Sequence, residues 1–578
     1  MPFCPLIDIH RVILIVIVRL ALALEQFFST KPHLKKGTPT CISLCLTVVQ
    51  LSPTMSQPVL SPTISQPVLS PTMLQPLLSP VEQPSSSNPQ PAQPSRRLQA
   101  IDILRGAIMI IMSWDHSRDF LSQHKVGATG SERWSGTLST YDNNAAVFFQ
   151  RWISHFCAPG FFFTMGLGMY FMAISRRHKH NWSYTRIVQH FLLRGFILLC
   201  VGRLVDMAVL PLLIPLAAKN ETLFPSQNSS GSPFHGPPWV APFIGIWEVM
   251  TALGFTMQFV GLFVPVLLQL DAVSSSIQFP SRATQVVAVL LGSVFLALST
   301  HYILQAQDND PCGPICHTGI NATTTANFPR FSASAVGGGQ LLLRFLLYPG
   351  SFEFGTILYP LVPWCSLTFF GFAAGIMFKR DAKQGYTCVR WCGWFLLVCF
   401  VVVRYFGGAA AGNLRGWPRV GDGGSTVAWI NFLTVCKYPP SVSYCALTLS
   451  GNFVVLGGIQ WWLKRHHAWQ QRQQEEQEEQ QRRRRQQQQQ QQQQREVQKT
   501  NIVVQVLLAF GQSPLFFYTL HFWILGWLGF VVRWFARGLP IVWVVVPWVL
   551  MLVGLFFPCR WYVGMKQSKG VDSWWKLF

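Results

Sequence analysis

Apolar stretches of about 20 residues recur along most of this chain, and short polar segments separate them. This length is what an α-helix needs to cross the hydrocarbon core of a bilayer. The stretches begin near Leu98 and continue almost to the end of the chain. We therefore predict ten membrane-spanning helices, at about residues 100–121, 146–175, 187–214, 243–270, 284–306, 354–378, 390–407, 441–463, 502–532 and 539–557.

The composition agrees with this pattern. Half of the 578 residues are apolar and only 12% are charged, whereas about 25% of the residues of a soluble domain are charged. The predicted fold class is an all-α polytopic membrane protein with about ten transmembrane helices in one bundle. The net charge of +22 comes largely from short basic clusters between apolar stretches, without the interleaving of aromatic and basic residues seen in RNA-binding domains. We therefore expect the lipid bilayer, and no nucleic acid, as a partner.

The distribution of basic residues predicts an orientation. If the segment before the first helix is cytoplasmic, then "SRRHKH", "KRDAKQ" and "KRHHAWQQRQQ" also fall on the cytoplasmic side, as the positive-inside rule requires. The glycosylation acceptor patterns that begin at Asn220, Asn228 and Asn321 all fall on the opposite side. The chain is thus predicted to be an integral membrane protein of an organelle or the plasma membrane, two locations that the sequence leaves open.

Four regions are expected along the chain. Residues 1–96 combine a short apolar targeting or signal-anchor segment, "RVILIVIVRLALAL", with a Pro/Ser-rich disordered linker. Residues 97–463 form the first eight helices of the core. Residues 464–500 are a Gln/Arg/Glu-rich, low-complexity cytoplasmic insert, for which an expansion without function stays open. Residues 501–578 contain the last two helices and a basic tail.

The first apolar stretch, "LRGAIMIIMSWDH", carries the candidate chemistry. On a helix, Arg105 and His116 lie eleven residues apart and share one face, and Asp102 pairs with Arg105 at i,i+3. A polar stripe across a bilayer faces protein or water rather than lipid. Plainer readings stay open: a snorkelling Arg105, a satisfied surface His116 and an ordinary loop charge at Asp115.

Other ionisable residues fall at the same predicted depths. His155, Glu248, Glu353 and His521 lie at the His116 end of their helices, where such groups suit general acid–base catalysis or a proton path. Arg105, Arg186 and Arg194 lie at the opposite end and predict an anion site.

Several motifs occur together in order: "RLQAIDILRGAIMIIMSWDHSRDF", "RWISHFCAPGFFFTMG", "LLRGF", "KYPPSVSY" and "LFFYTLHF". Over about residues 97–565 they resemble the prokaryotic-type members of the heparan-alpha-glucosaminide N-acetyltransferase-like family and, more distantly, the acyltransferase-3 membrane proteins. The resemblance implies an acyltransferase that takes an acyl group from cytoplasmic acyl-CoA and delivers it to an acceptor on the far side. Acyltransferase-3 proteins carry an essential histidine after an Arg-Gly pair, at the spacing of His116 from Arg105.

The chain also departs from the heparan enzyme. That enzyme has an amide residue in place of His116, an acid in place of His155, and a catalytic histidine in the following lumenal loop. His124 lies in the equivalent loop here, but the surrounding pattern does not match. The resemblance therefore does not identify the acceptor, and glucosamine is not implied.

The resulting hypothesis is an integral-membrane acyltransferase that moves an acyl group, with acetyl as the first candidate, to a hydroxyl or amine acceptor such as a sugar. His116 would be the catalytic base or nucleophile, and Asp115, His155 or His521 would orient or protonate it. Acyl-CoA would be the co-substrate, without a metal or redox cofactor. Two alternatives stay open, a proton-coupled transporter and a non-catalytic membrane scaffold, as does oligomerisation. The residues expected to bind acyl-CoA are Arg105, Asp102, Arg194 and Arg186.

Overall fold

The computed structural model describes residues 98–123, 132, 141–219, 246–276, 283–309, 338–347, 349–352, 355–407, 413, 427–485, 502–536, 538–570 and 573. Several predictions lie outside these residues: the targeting segment and linker of residues 1–96, the glycosylation patterns at Asn220, Asn228 and Asn321, and the residues His124 and Glu353. The second half of the low-complexity insert, from residue 486, also lies outside them.

The described residues form fourteen α-helices and three short strands. The helices are α1 (Gln99–Leu121), α2 (Ala145–Trp152), α3 (Cys157–His180), α4 (Tyr184–Lys219), α5 (Val249–Ser276), α6 (Ala283–Asn309), α7 (Gly338–Leu346), α8 (Leu361–Arg380), α9 (Ala382–Phe406), α10 (Ala428–Leu433), α11 (Val442–Arg485), α12 (Ile502–Gln512), α13 (Pro514–Phe535) and α14 (Ile541–Ser568). The strands are β1 (Ile246–Trp247), β2 (Gly350–Phe352) and β3 (Gly355–Ile357). Short 3₁₀ turns cover Tyr141–Asn143 and Ile153–Phe156.

The predicted all-α polytopic membrane fold is confirmed. Each of the ten predicted segments contains a helix, and eight described helical segments are long and apolar enough to cross a membrane. These eight are Ala145–His180, Tyr184–Val205, Val249–Leu270, Leu361–Arg380, Ala382–Phe406, Val442–His466, Pro514–Phe535 and Ile541–Ser568. Helix α1 is not among them because it carries five charged side chains, and α6 offers only a shorter apolar stretch, Gln285–His301.

The prediction of one helix over residues 502–532 is wrong. Helix α12 ends at Gln512 and α13 begins at Pro514. Proline has no backbone N–H to donate and fixes its own φ, so it suits the first turn of a new helix and not the interior of a continuous one. The break allows α12 and α13 to contact α1 at two different levels.

Glycines let the central helices approach backbone to backbone. A Cβ atom on Gly166 of α3 would lie 1.9 Å from the Thr368 carbonyl oxygen of α8, and one on Gly371 of α8 would lie 1.9 Å from the Phe163 oxygen of α3. Small residues at such crossings are typical of membrane helices, which gain their stability from close packing. Helices α1 and α12 cross in the same way, at Gly106 of α1 and Gly511 of α12.

The outer helices present apolar side chains to their surroundings. Only 22% of the span in α9 and 17% of the span in α14 are buried within the protein, and Phe406 and Val542 are among the most exposed side chains. A face of this kind fits contact with lipid tails. The helices α1, α3, α8 and α11 supply much of the buried core, so the functional residues on α1 lie inside the bundle.

A three-stranded sheet covers one end of the bundle. Strand β3 pairs in parallel with β1 and antiparallel with β2, in the order β1-β3-β2. This small sheet fixes the segment that leads into α5, and Glu248 lies between β1 and α5. Helix α11 continues through Arg485, so the first half of the low-complexity insert is helical.

Candidate active site

A pair of hydrogen-bonded histidines joins α1 to α13. His116 Nδ1 lies 2.9 Å from His521 Nε2, and the two rings are nearly parallel, with centroids 5.2 Å apart. The sequence predicted that both residues lie at the same end of the bundle, and the structure brings them into direct contact.

The hydrogen bonds of His521 decide the tautomer of both neutral rings. His521 Nδ1 lies 2.9 Å from the Phe517 carbonyl oxygen, and because a carbonyl oxygen can only accept, this nitrogen donates. His521 Nε2 therefore carries a lone pair and accepts from His116 Nδ1–H. In this arrangement His116 Nε2 keeps its own lone pair, which is the form of imidazole that serves as a base or a nucleophile.

The surroundings of the two rings differ. His521 is fully buried, whereas His116 is only partly buried. Aromatic rings enclose the pair: Phe522 lies edge-on to His116 at 5.0 Å, and Tyr518 lies edge-on to His116 at 6.2 Å and to His521 at 5.4 Å. The fully buried His521 therefore supports the orientation of a partner ring that is less buried.

A buried charge network lies beside the pair. Arg151 donates to both oxygens of Glu132, from Nε to Oε1 at 2.6 Å and from Nη2 to Oε2 at 2.8 Å. Its third nitrogen donates to Asp115 Oδ2 at 2.6 Å. Arg118 Nη2 lies 2.8 Å from the other oxygen of Asp115. Two carboxylates thus face two guanidinium groups, the arrangement that a buried charge requires.

Glu132, which follows α1 in the chain, connects this network to His155 and to the backbone before α11. His155 Nε2–H donates to Glu132 Oε1 at 2.9 Å, and the Glu132 carbonyl oxygen accepts from the backbone N–H groups of Lys437 and Tyr438. Burial alone would raise the pKa of the Glu132 carboxyl, but Arg151 and His155 outweigh that effect and hold the pKa well below its usual range. Glu132 is therefore ionised. Its carboxylate binds Arg151 and His155, and its carbonyl oxygen binds the backbone at Lys437 and Tyr438.

Of the predicted catalytic residues, the structure brings His116 and His521 together. Asp115 precedes His116 in the chain, and its side chain belongs to the charge network. His155 belongs to the same network but makes no hydrogen bond or ring contact with His116 among the described residues. The backbone carbonyl oxygen of His155 accepts a hydrogen bond from the Tyr444 hydroxyl group at 2.9 Å. His155 is thus placed to hold Glu132 rather than to reach the partly buried imidazole of His116.

An elongated cavity of about 530 Å³ lies beside α1 and extends from Tyr518 towards the ends of α3 and α14. Neither His116 nor His521 lines it, but the Tyr518 ring contacts both of them. One face of α3 lines it over a span of sixteen residues, which corresponds to about 22 Å along the helix axis. This face comprises Phe161, Thr164, Met165, Gly168, Met169, Met172 and Arg176. The cavity is therefore a long slot rather than a round pocket.

Cationic side chains cluster in this cavity. Arg105, Arg176, Arg194 and Lys566 all line it, together with His190. The predicted pair of Arg105 with Asp102 is present, at 3.6 Å, and Arg105 also donates to the Thr164 carbonyl oxygen at 2.6 Å. Four cations with one carboxylate produce an excess of positive charge, which suits phosphate groups.

The structure corrects the predicted anion site at one position. Arg186 does not line the cavity; its side chain is exposed, and its guanidinium group lies over the Trp182 ring at 4.4 Å. Arg176 stacks on the same ring at 4.8 Å and does line the cavity. Arg186 lies on the same helical stripe as His190 and Arg194, but one turn beyond the slot.

Sequence reasoning missed Arg151, Glu132, Arg176 and Lys566. For Arg151 a signal existed, since a charge within the apolar segment "FFQRWISHF" is costly unless it is paired. Glu132 offered no such signal, because it lies in a polar segment.

Compared with protein-family models and with characterised proteins, the chain gives no match.

Proposed function

We propose that this protein is an integral-membrane acyltransferase that uses acyl-CoA as donor and transfers the acyl group, with acetyl as the first candidate, to a hydroxyl or amine acceptor on the His116 side of the membrane. The resemblance of its motifs to the heparan-alpha-glucosaminide N-acetyltransferase-like family supports this proposal. A cytoplasmic donor side also agrees with the basic clusters between its helices.

The observation that carries the proposal is the position of Tyr518, which lines the cationic slot and contacts the histidine pair. The slot holds Arg105, Arg176 and Arg194, and it also reaches Tyr518, whose ring contacts both His116 and His521. A molecule with phosphates at one end and a reactive group at the other fits this layout. Acyl-CoA has that form, with its thioester far from its phosphates.

The residues then have separate roles. The arginines bind the phosphates of the donor by charge-assisted hydrogen bonds. His116 Nε2 takes the proton of the acceptor hydroxyl or amine, and the acceptor oxygen or nitrogen bonds to the acyl carbon as the bond from that carbon to sulfur breaks. The proton then passes from His116 to the leaving thiolate. In the alternative route His116 Nε2 takes the acyl group first and passes it to the acceptor.

The remaining residues position His116. His521 accepts the Nδ1 proton of His116 and so keeps the lone pair on Nε2. Asp115 holds the end of α1 through Arg118 and Arg151. His155 supports the same network through Glu132.

A proton-coupled transporter is the second candidate. The observation that favours it is the direct hydrogen bond between the two histidine nitrogens, since such a bond can pass a proton along a chain of titratable groups. The two candidates differ in what they consume: a transferase uses up acyl-CoA, whereas a transporter moves solute and leaves acyl-CoA intact.

The test is equilibrium binding and turnover of radiolabelled acetyl-CoA by the purified protein in nanodiscs. Arg176→Ala removes a cation of the slot, and Arg177→Ala removes its exposed neighbour, which stacks on Tyr184 instead. Loss of a charge-assisted hydrogen bond costs about 1.5–3 kcal/mol, so Arg176→Ala should weaken binding roughly tenfold or more. Arg177→Ala should bind as the wild type does. Wild-type protein that neither binds nor consumes acetyl-CoA would refute the proposal. Flux assays would then test the proton-coupled transporter.

A further inference from the structure

Tyr518 occupies the junction between the slot and the histidine pair. It lines the slot, and it lies one turn before His521 on α13. Its ring contacts His116, His521 and Phe522. Its side chain is 3% exposed, so its hydroxyl group lies inside the protein. A buried hydroxyl at this position needs a polar partner.

The hydroxyl group has a loose partner in Glu248. The Tyr518 hydroxyl oxygen lies 3.5 Å from each Glu248 carboxylate oxygen. Hydrogen bonds between two oxygens normally measure about 2.5–3.0 Å. The next two residues after Glu248, Val249 and Met250, line the slot as well. The contact is therefore at the wall of the slot, where the carbonyl group of a bound donor would compete with Glu248 for the hydroxyl hydrogen.

We infer that Tyr518 is a catalytic residue that donates a hydrogen bond from its hydroxyl group to the thioester carbonyl oxygen of the acyl donor. This inference rests on the proposed function. The donor's phosphates lie among the cations of the slot, so its thioester reaches the opposite end, where Tyr518 and His116 meet. When the acceptor adds to the acyl carbon, negative charge develops on the carbonyl oxygen. A fixed donor at that oxygen stabilises the charge in a site without bulk water.

The chemistry balances without any further reactant. The acceptor loses its proton to His116, the new bond to the acyl carbon forms, and the carbonyl oxygen takes up the electron pair. The carbonyl then re-forms, the bond to sulfur breaks, and the thiolate takes the proton from His116. Tyr518 donates a hydrogen bond throughout and keeps its own proton. Glu248 is a positioning residue, since it keeps the hydroxyl group at the wall of the slot between turnovers.

Two donor analogues separate this role from a merely structural one. Acetonyl-CoA keeps the carbonyl group and replaces the scissile bond by a stable one, whereas S-ethyl-CoA has no carbonyl group. Tyr518→Phe removes only the hydroxyl group. The matched control is Tyr405→Phe, because that ring packs against Phe406, is exposed on the outside of α9 and is not part of the slot.

Both analogues should bind the wild type. Tyr518→Phe should weaken acetonyl-CoA at least fivefold, leave S-ethyl-CoA unchanged, and lower kcat for acetyl-CoA about 100-fold, the usual loss for one such donor. Tyr405→Phe should change none of these values. If Tyr518→Phe binds both analogues equally well and keeps its kcat, the role of Tyr518 is refuted while the proposed function stands. If the wild type binds neither analogue, the proposed function itself fails.

Discussion

Replacing Glu132 by glutamine should destabilise the protein strongly although the side chain keeps its shape. The carboxylate has no exposed surface and accepts three hydrogen bonds, two from Arg151 and one from His155. In Glu132→Gln one acceptor oxygen becomes an NH₂ group, which faces an N–H donor whichever way the amide turns. Arg151 also loses one of its two charge partners and keeps only Asp115.

The size of the effect follows from this burial. Removing one partner of a buried ion pair costs about 3–5 kcal/mol, because the other charge stays buried without compensation. The ratio of folded to unfolded protein should therefore fall by a factor of roughly 10²–10⁴. The matched control is Asp119→Asn, since Asp119 pairs with Arg118 but is 48% exposed. Because water reaches this half-exposed carboxylate, and because the buried Arg118 keeps Asp115 as a partner, Asp119→Asn should cost less stability than Glu132→Gln.

The assay is unfolding in mixed micelles with increasing sodium dodecyl sulfate, followed by tryptophan fluorescence, for the wild type and both variants. The pH dependence supplies an independent check. The pKa of Glu132 is lower in the folded protein than in the unfolded chain, so its stabilisation is complete above about 4.3, the ordinary glutamate value, and is lost as the pH falls through the folded value. The difference between the wild type and Glu132→Gln should therefore shrink as the medium becomes more acidic. A Glu132→Gln protein as stable as Asp119→Asn would refute the reasoning.

Three further results are expected. Gly106→Ala should lose about 1–3 kcal/mol of stability, because its Cβ would lie 2.0 Å from the Leu507 carbonyl oxygen; Gly554→Ala, which meets nothing within 4 Å, should match the wild type in a thermal melt. Arg194→Gln should weaken acetyl-CoA binding and make it less sensitive to salt, and a salt dependence equal to that of the wild type would exclude Arg194 from the phosphate site. His521→Phe should lower kcat by roughly 10²-fold with KM for acetyl-CoA unchanged, since His116 then loses the acceptor that fixes its tautomer; an unaltered kcat would make that contact structural.

The sequence predicted the parts of the fold that depend on local composition. Helix positions followed from the lengths of the apolar stretches, and the ion pair of Asp102 with Arg105 followed from helical spacing. The placement of His116 and His521 at one end followed from the alternating direction of successive spans, whereas their direct contact was not predicted. Each of these predictions needed only a few neighbouring residues or the order of the helices.

The remaining features depend on contacts between distant segments. Glu132 and Arg151 are separated by 19 residues, and nothing in the polar segment around Glu132 indicates that it returns to the bundle. The break at Pro514 was hidden by a continuous apolar stretch. Arg186 was assigned to the anion site by its stripe alone, yet its guanidinium group stacks on Trp182 beyond the slot. Tertiary packing decided the positions of the Glu132, Arg151 and Arg186 side chains. The break at Pro514 is instead a local effect of proline.

The central claim is that His116 acts on the acyl group of acyl-CoA. The most direct measurement is the rate at which the protein in nanodiscs releases thiol from acetyl-CoA, with hydroxylamine as a small surrogate acceptor, for the wild type, His116→Ala and the exposed-site control His178→Ala. We predict saturable acetyl transfer by the wild type and by His178→Ala, and a loss of about 10²–10⁴-fold in kcat for His116→Ala, with the dissociation constant for acetyl-CoA unchanged. Equal turnover by the wild type and His116→Ala, or a wild type that binds acetyl-CoA without ever cleaving it, would contradict the account.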